Sequence, residues 1–272
     1  MSIKADQHIH SHHSGDSEAS MESMIEAGIA AGLDTLCFTE HNDFDYPECP
    51  DIAPEKWILN VDSYLYELLK LREAYEGRIR LLFGIEIGFQ TSCMRPNAVL
   101  AKSHDFDFII GSSHVLDGAD PYYPEYWQGK DEKEVIRRYF ETELENAKKH
   151  SNFDVYGHLD YIVRYAPFGK DGYHVSDYTD IVEELLKTLI EKGKGIELNT
   201  AGLRSGLKDF HPCRQILERY QALGGEILTI GSDAHSPEHV AAQFDKAADL
   251  LKDIGFAYYT VFEKRNPEYR RL

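Results

Sequence analysis

The stretch Met21-Glu22-Ser23-Met24-Ile25-Glu26-Ala27-Gly28-Ile29-Ala30-Ala31, followed by Gly32-Leu33-Asp34 and then Thr35-Leu36-Cys37-Phe38-Thr39, contains the fold in miniature. Apolar residues recur at helical spacing over 21–31, Gly32 sits where a helix end wants a left-handed residue, and the next five residues read as a short buried strand. The segment 4–8 ahead of the helix is also β-rich, so the unit is β-α-β. The alternation continues outward. Further strands are predicted at 80–85, 108–111, 154–156, 195–198, 226–230 and 257–262, with helical patterns at 61–76, 132–149, 178–192, 213–223 and 240–254. Such alternation means a parallel sheet, doubly wound or closed into a barrel, and seven or eight strand signals favour the barrel. Connections after helices are tight and carry Gly32, Gly77, Gly193 and Gly224. Connections after strands are long (42–60, 115–131, 164–176) and rich in Tyr, Trp, Pro and Asp. That asymmetry places the working face at the C-terminal ends of the strands.

The chain of 272 residues suits one α/β barrel, and no repeat, linker or composition shift divides it, so one domain over 1–272 is expected. Its 29 Lys+Arg against 47 Asp+Glu give a formal charge of −18, and the basic runs are short. Coating of nucleic acid is therefore disfavoured. Lys4 brings charge to the N-terminus, no apolar run reaches membrane-spanning length, and a cytoplasmic location away from membranes is expected. Cys37, Cys49, Cys93 and Cys213 are widely separated and form no C-x-x-C pair, so they read as reduced structural thiols. Oligomeric state is not legible.

Histidine carries the functional signal. His8-Ile9-His10 closes the first predicted strand, where alternate side chains share a face. Thirteen histidines in 272 positions would give about half an H-x-H by chance, so the pair alone decides nothing. Position decides more. Thr39-Glu40-His41, Gly84-Ile85-Glu86, Ser112-Ser113-His114, Gly157-His158-Leu159-Asp160 and Gly231-Ser232-Asp233-Ala234-His235 all fall at strand ends, delivering six ends to one rim. With Asp16 the set is six histidines and three carboxylates, too many for one four-coordinate ion. Three divalent ions fit if a carboxylate bridges two of them, and Zn, Mn and Fe all suit such donors. His12, His13, His104, His150, His174, His211 and His239 stay outside the set, with His12 and His13 read as solvated loop residues.

These motifs, from Asp6-x-His8-x-His10-Ser11-x-x-Ser14-x-Asp16 to Ser232-Asp233-Ala234-His235, resemble in order those of the PHP (polymerase and histidinol phosphatase) superfamily. The resemblance implies a distorted, TIM-barrel-like (β/α)7 barrel with a trinuclear centre. One ion would take His8, His10, Glu86 and Asp233, a second Glu86, His114 and His158, and a third Asp16, His41 and His235. Many relatives have His at the Asp16 position, so Asp16 departs from the commoner pattern. Residues 158–164 and 199–204 resemble the histidinol-phosphatase branch, which implies that Arg164 and Arg204 clamp phosphate; position alone leaves an ordinary surface ion pair equally open for each. Glu86, Asp233, Arg164 and Arg204 are thus the residues expected to carry catalysis. The implied reaction is hydrolysis of L-histidinol phosphate by metal-activated hydroxide in histidine biosynthesis. Alternatives are a PHP phosphoesterase acting on nucleotides or oligonucleotides, and a non-catalytic polymerase-associated module. In the acidic, aromatic loop 115–127, Asp117 is taken to meet the substrate amine, with Asp120 and Glu125 as competitors. Asp160 is expected either to orient a metal ligand or to be an ordinary loop carboxylate.

Overall fold

In the computed structural model, which describes residues 3–167 and 172–272, seven parallel strands pair in chain order: β1 (Ala5–Ile9), β2 (Thr35–Asn42), β3 (Arg80–Gly88), β4 (Phe108–Ser112), β5 (Val155–Tyr156), β6 (Gly195–Asn199) and β7 (Leu228–Gly231). Helices cover the crossovers: α1 (Met21–Ala30), α2 (Val61–Ala74), α3 (Met94–Leu100), α4 (Glu132–Lys149), α5 (Thr179–Glu191), the short α6 (Ala201–Arg204), α7 (Arg214–Ala222) and α8 (Phe244–Ile254). Strands covered on both faces must be apolar throughout. Accordingly Leu81, Leu82, Phe83, Ile85 and Ile87 of β3 and Phe108, Ile109 and Ile110 of β4 are all buried. Caps fix the helix starts. Asp131 accepts from the amides of Lys133 and Glu134 at the head of α4, and Asn60 from that of Ser63 at the head of α2. Gly32, at φ +77°, ends α1 as the sequence suggested.

The barrel closes at the seam between β1 and β7. Ile9 bridges Ala234; the His10 amide donates to Ala234 O at 2.9 Å and the Asp233 amide to His8 O at 2.7 Å. Asp6, buried in β1, accepts from the amides of Ser232 (2.9 Å) and Ala241 (3.0 Å). At the opposite end, the 257–262 signal becomes β8 (Tyr258–Glu263), which stands outside the barrel sheet and pairs antiparallel with β9 (Asn266–Arg271). This hairpin caps the N-terminal ends of the strands: the Phe262 amide donates to Gln7 Oε1, and the Lys264 and Arg265 amides to Asp107 just ahead of β4. β9 and α3 went unread. Residues 266–271 are mostly exposed and show no apolar alternation, and 94–100 is two turns long with Pro96 inside it. Among the described residues no helix is long and apolar enough to cross a membrane.

Gly231 ends β7 where there is no room for a side chain. A Cβ there would lie 2.3 Å from His8 Cβ and 2.4 Å from Glu197 Oε1. Gly231→Ala is expected to push His8 from its place, lowering metal content together with stability, the latter by about 1–3 kcal/mol. Elemental analysis and urea unfolding of the variant check both.

Candidate metal centre

Glu86, wholly buried near the end of β3, faces five imidazoles. Its Oε2 lies 3.1 Å from His8 Nε2, 3.1 Å from His41 Nδ1 and 3.5 Å from His10 Nε2. Its Oε1 lies 3.2 Å from His114 Nε2 and 3.0 Å from His158 Nε2. Asp233 Oδ1 stands 3.5 Å from His10 Nε2 and 3.7 Å from His235 Nδ1. Asp233 adopts a left-handed φ of 53°, so the chain doubles back after β7 and turns this carboxylate into the barrel mouth. Asp16 completes the set from the loop after β1, with Oδ2 at 3.1 Å from His235 Nε2 and 3.5 Å from His41 Nε2. All nine residues proposed from sequence therefore meet in one cluster.

A second layer decides which nitrogen four of the six imidazoles present. His8 Nδ1 donates to Glu197 Oε1 at 2.6 Å, His114 Nδ1 to Asp43 Oδ1 at 2.8 Å, His10 Nδ1 to Ser14 Oγ at 3.2 Å, and His235 Nδ1 to the Asp233 carbonyl at 3.2 Å. A proton held on Nδ1 leaves Nε2 as a lone pair directed into the centre. Glu40, behind this layer, accepts from the hydroxyls of Ser11 and Ser14, both at 2.5 Å. Sequence reasoning missed Glu197 and Asp43. The signal for Asp43 was present, since His41-Asn42-Asp43 repeats the alternation of His8-Ile9-His10. Glu197 lies inside β6 and only the barrel geometry brings it behind His8.

The cluster fits divalent ions on its own evidence. His10 Nε2 and His41 Nδ1 are buried and make no hydrogen bond although each lies within 3.5 Å of Glu86. Nitrogens and oxygens are arranged around shared points, as ligands surround a cation, rather than aligned as donor on acceptor. Rings of His10 and His41 stack at 4.2 Å, and those of His10 and His235 at 4.1 Å, a contact that protonated imidazoles would resist. Charge points the same way. Burial pushes the Glu86 carboxyl up, and only positive charge beside it, which His8, His41 and His114 would supply if protonated, holds it well below its ordinary range; the same applies to Asp16 beside His235 and His41. Four buried carboxylates (Asp43, Glu86, Glu197, Asp233), with the more open Asp16 at the rim, gather negative charge that needs cations to balance it.

Two guanidiniums flank Asp233. Arg204, at the end of α6, donates from Nη2 to the Asp233 carbonyl at 2.9 Å, while its Nη1 is buried without a partner. Arg164 Nη2, 3.9 Å from Asp233 Oδ2, is likewise buried and makes no hydrogen bond. Arg164 Nε donates to His211 Nε2 at 3.3 Å, and His211 Nδ1 donates to Asp160 Oδ1 at 2.5 Å. Asp160 thus serves His211 rather than a metal ligand. His211 itself, in the irregular segment between α6 and α7, gave no periodic signal. Asp117 lies apart, half exposed, with its carboxylate on Arg138 at 3.0 Å. Asp120 is the buried acid of that loop. It accepts from Tyr46 OH and the Tyr122 amide, both at 2.8 Å, and burial raises its pKa.

Comparison with known proteins accords with this geometry. A family model described as the PHP domain matches residues 6–201, more than half of the chain. The chain belongs to the PHP domain family. Within it, the chain is 31% identical over 260 residues to the histidinol-phosphatase of Lactococcus lactis, covering 95% of this chain and 94% of that one. It is also 31% identical to the probable histidinol-phosphatase of Clostridium acetobutylicum, covering 97% and 98%. The crystal structure of the L. lactis histidinol phosphate phosphatase, complexed with zinc, L-histidinol and phosphate, superposes with a TM-score of 0.89 at 29% identity, covering 97% of this chain and 98% of that one.

Glu86→Gln keeps the volume but removes the charge that five imidazoles share, so metal content and hydrolysis should fall together. Asp43→Asn, which only orients His114, should weaken metal affinity by roughly 10–100-fold. Metal titration of the stripped proteins separates the two grades of loss.

Proposed function

We propose that the protein is a metal-dependent phosphomonoesterase that hydrolyses L-histidinol phosphate to L-histidinol and phosphate, water oxygen bonding to phosphorus as the ester P–O bond breaks. The observation that carries this reading is the pair of partly buried guanidiniums, each with one buried, unpaired Nη, beside a dense carboxylate–imidazole cluster. A phosphate monoester is a small dianion that needs both. Three divalent ions (Zn, Mn or Fe) are assigned: one to His8, His10, Glu86 and Asp233, one to Glu86, His114 and His158, and one to Asp16, His41 and His235. When bound, such ions polarise phosphate oxygens and bring the pKa of water toward neutrality.

The chain's own groups do the rest. Glu86 and Asp233 would hold the ions. Arg164 and Arg204 hold the phosphate oxygens and meet the charge that builds on them during transfer. Arg164 is itself aimed: burial pushes the His211 pKa down, its Nδ1 proton is committed to Asp160, and its free Nε2 accepts the guanidinium Nε–H. This leaves the Nη edge of Arg164 for the substrate. For the substrate ammonium, Asp120 is assigned in place of Asp117, because it is the buried acid of the 115–127 loop. Its partner Tyr46 stacks on Trp57 at 4.2 Å, and Tyr161, 5.6 Å from the His114 ring, lines the approach for a flat imidazole.

Phosphate release from a panel of monoesters, with metal content measured on the same preparation, tests the reading. The highest kcat/KM is expected for L-histidinol phosphate. Preference for nucleotides or oligonucleotides overturns the substrate, and metal-loaded protein that turns over no phosphoester overturns the activity. Arg164→Ala or Arg204→Ala should reduce kcat/KM by about 10²-fold, close to 3 kcal/mol, with metal content unchanged. Asp120→Asn should raise KM for L-histidinol phosphate while sparing p-nitrophenyl phosphate, which has no amine.

A further inference from the structure

His12 and His13, which the sequence leaves without a role, both aim Nε2 at one carboxylate oxygen. Glu67 Oε2, on α2, lies 3.3 Å from His12 Nε2 and 3.0 Å from His13 Nε2, with the two rings 4.4 Å apart. Among the described residues, four groups bring three His, Cys, Asp or Glu ligand atoms into mutual range; three belong to the centre already described, and this is the fourth. The contrast with a plain ion pair is visible at His104, which meets Asp62 at 3.0 Å without drawing in a third such donor among the described residues. Bonds of about 2.0–2.1 Å around a tetrahedral ion place its ligands about 3.3 Å apart. The spacing around Glu67 matches that figure and the 3.0–3.5 Å separations around Glu86.

We infer that His12, His13 and Glu67 form a peripheral, exchangeable site for a borderline divalent cation of the Zn2+, Ni2+ or Cu2+ class. Two imidazoles among three donors select such ions over Mg2+ or Ca2+, which prefer oxygen. The His13 side chain is 9% exposed and anchors the site, whereas His12 at 41% and Glu67 at 34% leave the remaining positions to water and make the ion exchangeable. A cavity of about 670 Å³, lined by His12, His13, Asp16 and Asn60 among others, opens beside it. On its inner side the loop that carries these histidines is already held by Ser11 and Ser14 on Glu40. An ion on Glu67 ties the outer side of the same loop to α2, so the segment that presents Asp16 is fixed from both faces.

The test is calorimetric titration of the protein, with its resident metal in place, by Zn2+ and in parallel by Mg2+. Wild type is expected to take up one further equivalent of Zn2+ at micromolar concentration and no further Mg2+ there. His12→Asn/His13→Asn should abolish that equivalent and Glu67→Gln should weaken it, while resident metal content and phosphatase activity without added Zn2+ stay unchanged in all three proteins. Wild type that takes up no extra Zn2+ up to millimolar concentration overturns the site, as does a double variant that still binds the extra equivalent like wild type. Resident metal content, read on the same samples, reports on the central cluster independently.

Discussion

Glu86 is the constraint on which the rest of the molecule turns. A carboxylate with no exposure to water and five imidazoles around it is costly to bury unless cations or protons compensate it. The fold supplies the compensation by bringing strand ends from every part of the chain to one rim. His8 arrives from β1 and His10 from just beyond it, His41 from β2, His114 from beyond β4, His158 from beyond β5, and Asp233 and His235 from beyond β7. No local segment could assemble such a set. A parallel barrel can, because every strand ends at the same face.

Around the ligands runs a layer with no ligand role of its own. Glu197 behind His8, Asp43 behind His114 and Ser14 behind His10 each hold one ring nitrogen, so that the other is presented as a lone pair. Asp160 and His211 do for Arg164 what Glu197 does for His8: a buried acid holds the Nδ1 proton, and the opposite nitrogen meets the working group. The same physical device, a fixed tautomer, thus orients both an imidazole of the cluster and the arginine beside it.

Much of this was legible in the sequence because strand ends are punctuated. Ligand positions follow short buried runs closed by Gly, Ser or Thr, so order along the chain predicted convergence in space, and the helix boundaries at Glu132–Lys149 emerged to the residue. Illegible features were those that depend on pairing across the barrel. Glu197 reads as one polar residue inside a strand, and only the neighbouring position of β7 shows that it backs His8. Among the acids of the 115–127 loop, sequence offers no measure of burial, whereas the structure shows Asp117 on Arg138 at the surface and Asp120 buried. β9 was missed for a related reason: its residues pair with β8 over the barrel floor and need no apolar face of their own.

The seam that closes the barrel also carries the site. His8 and His10 lie near the N-terminus, and the backbone groups that zip them into place belong to Asp233 and Ala234, more than two hundred residues later. During synthesis the first ligands to emerge are therefore the ones that wait longest for their partners. A chain still short of residue 233 has neither the closed seam nor the Asp233 carboxylate that stands 3.5 Å from His10. The seam therefore couples closure of the barrel to completion of the cluster around His10: whatever opens the edge between β1 and β7 also parts His8 and His10 from Asp233.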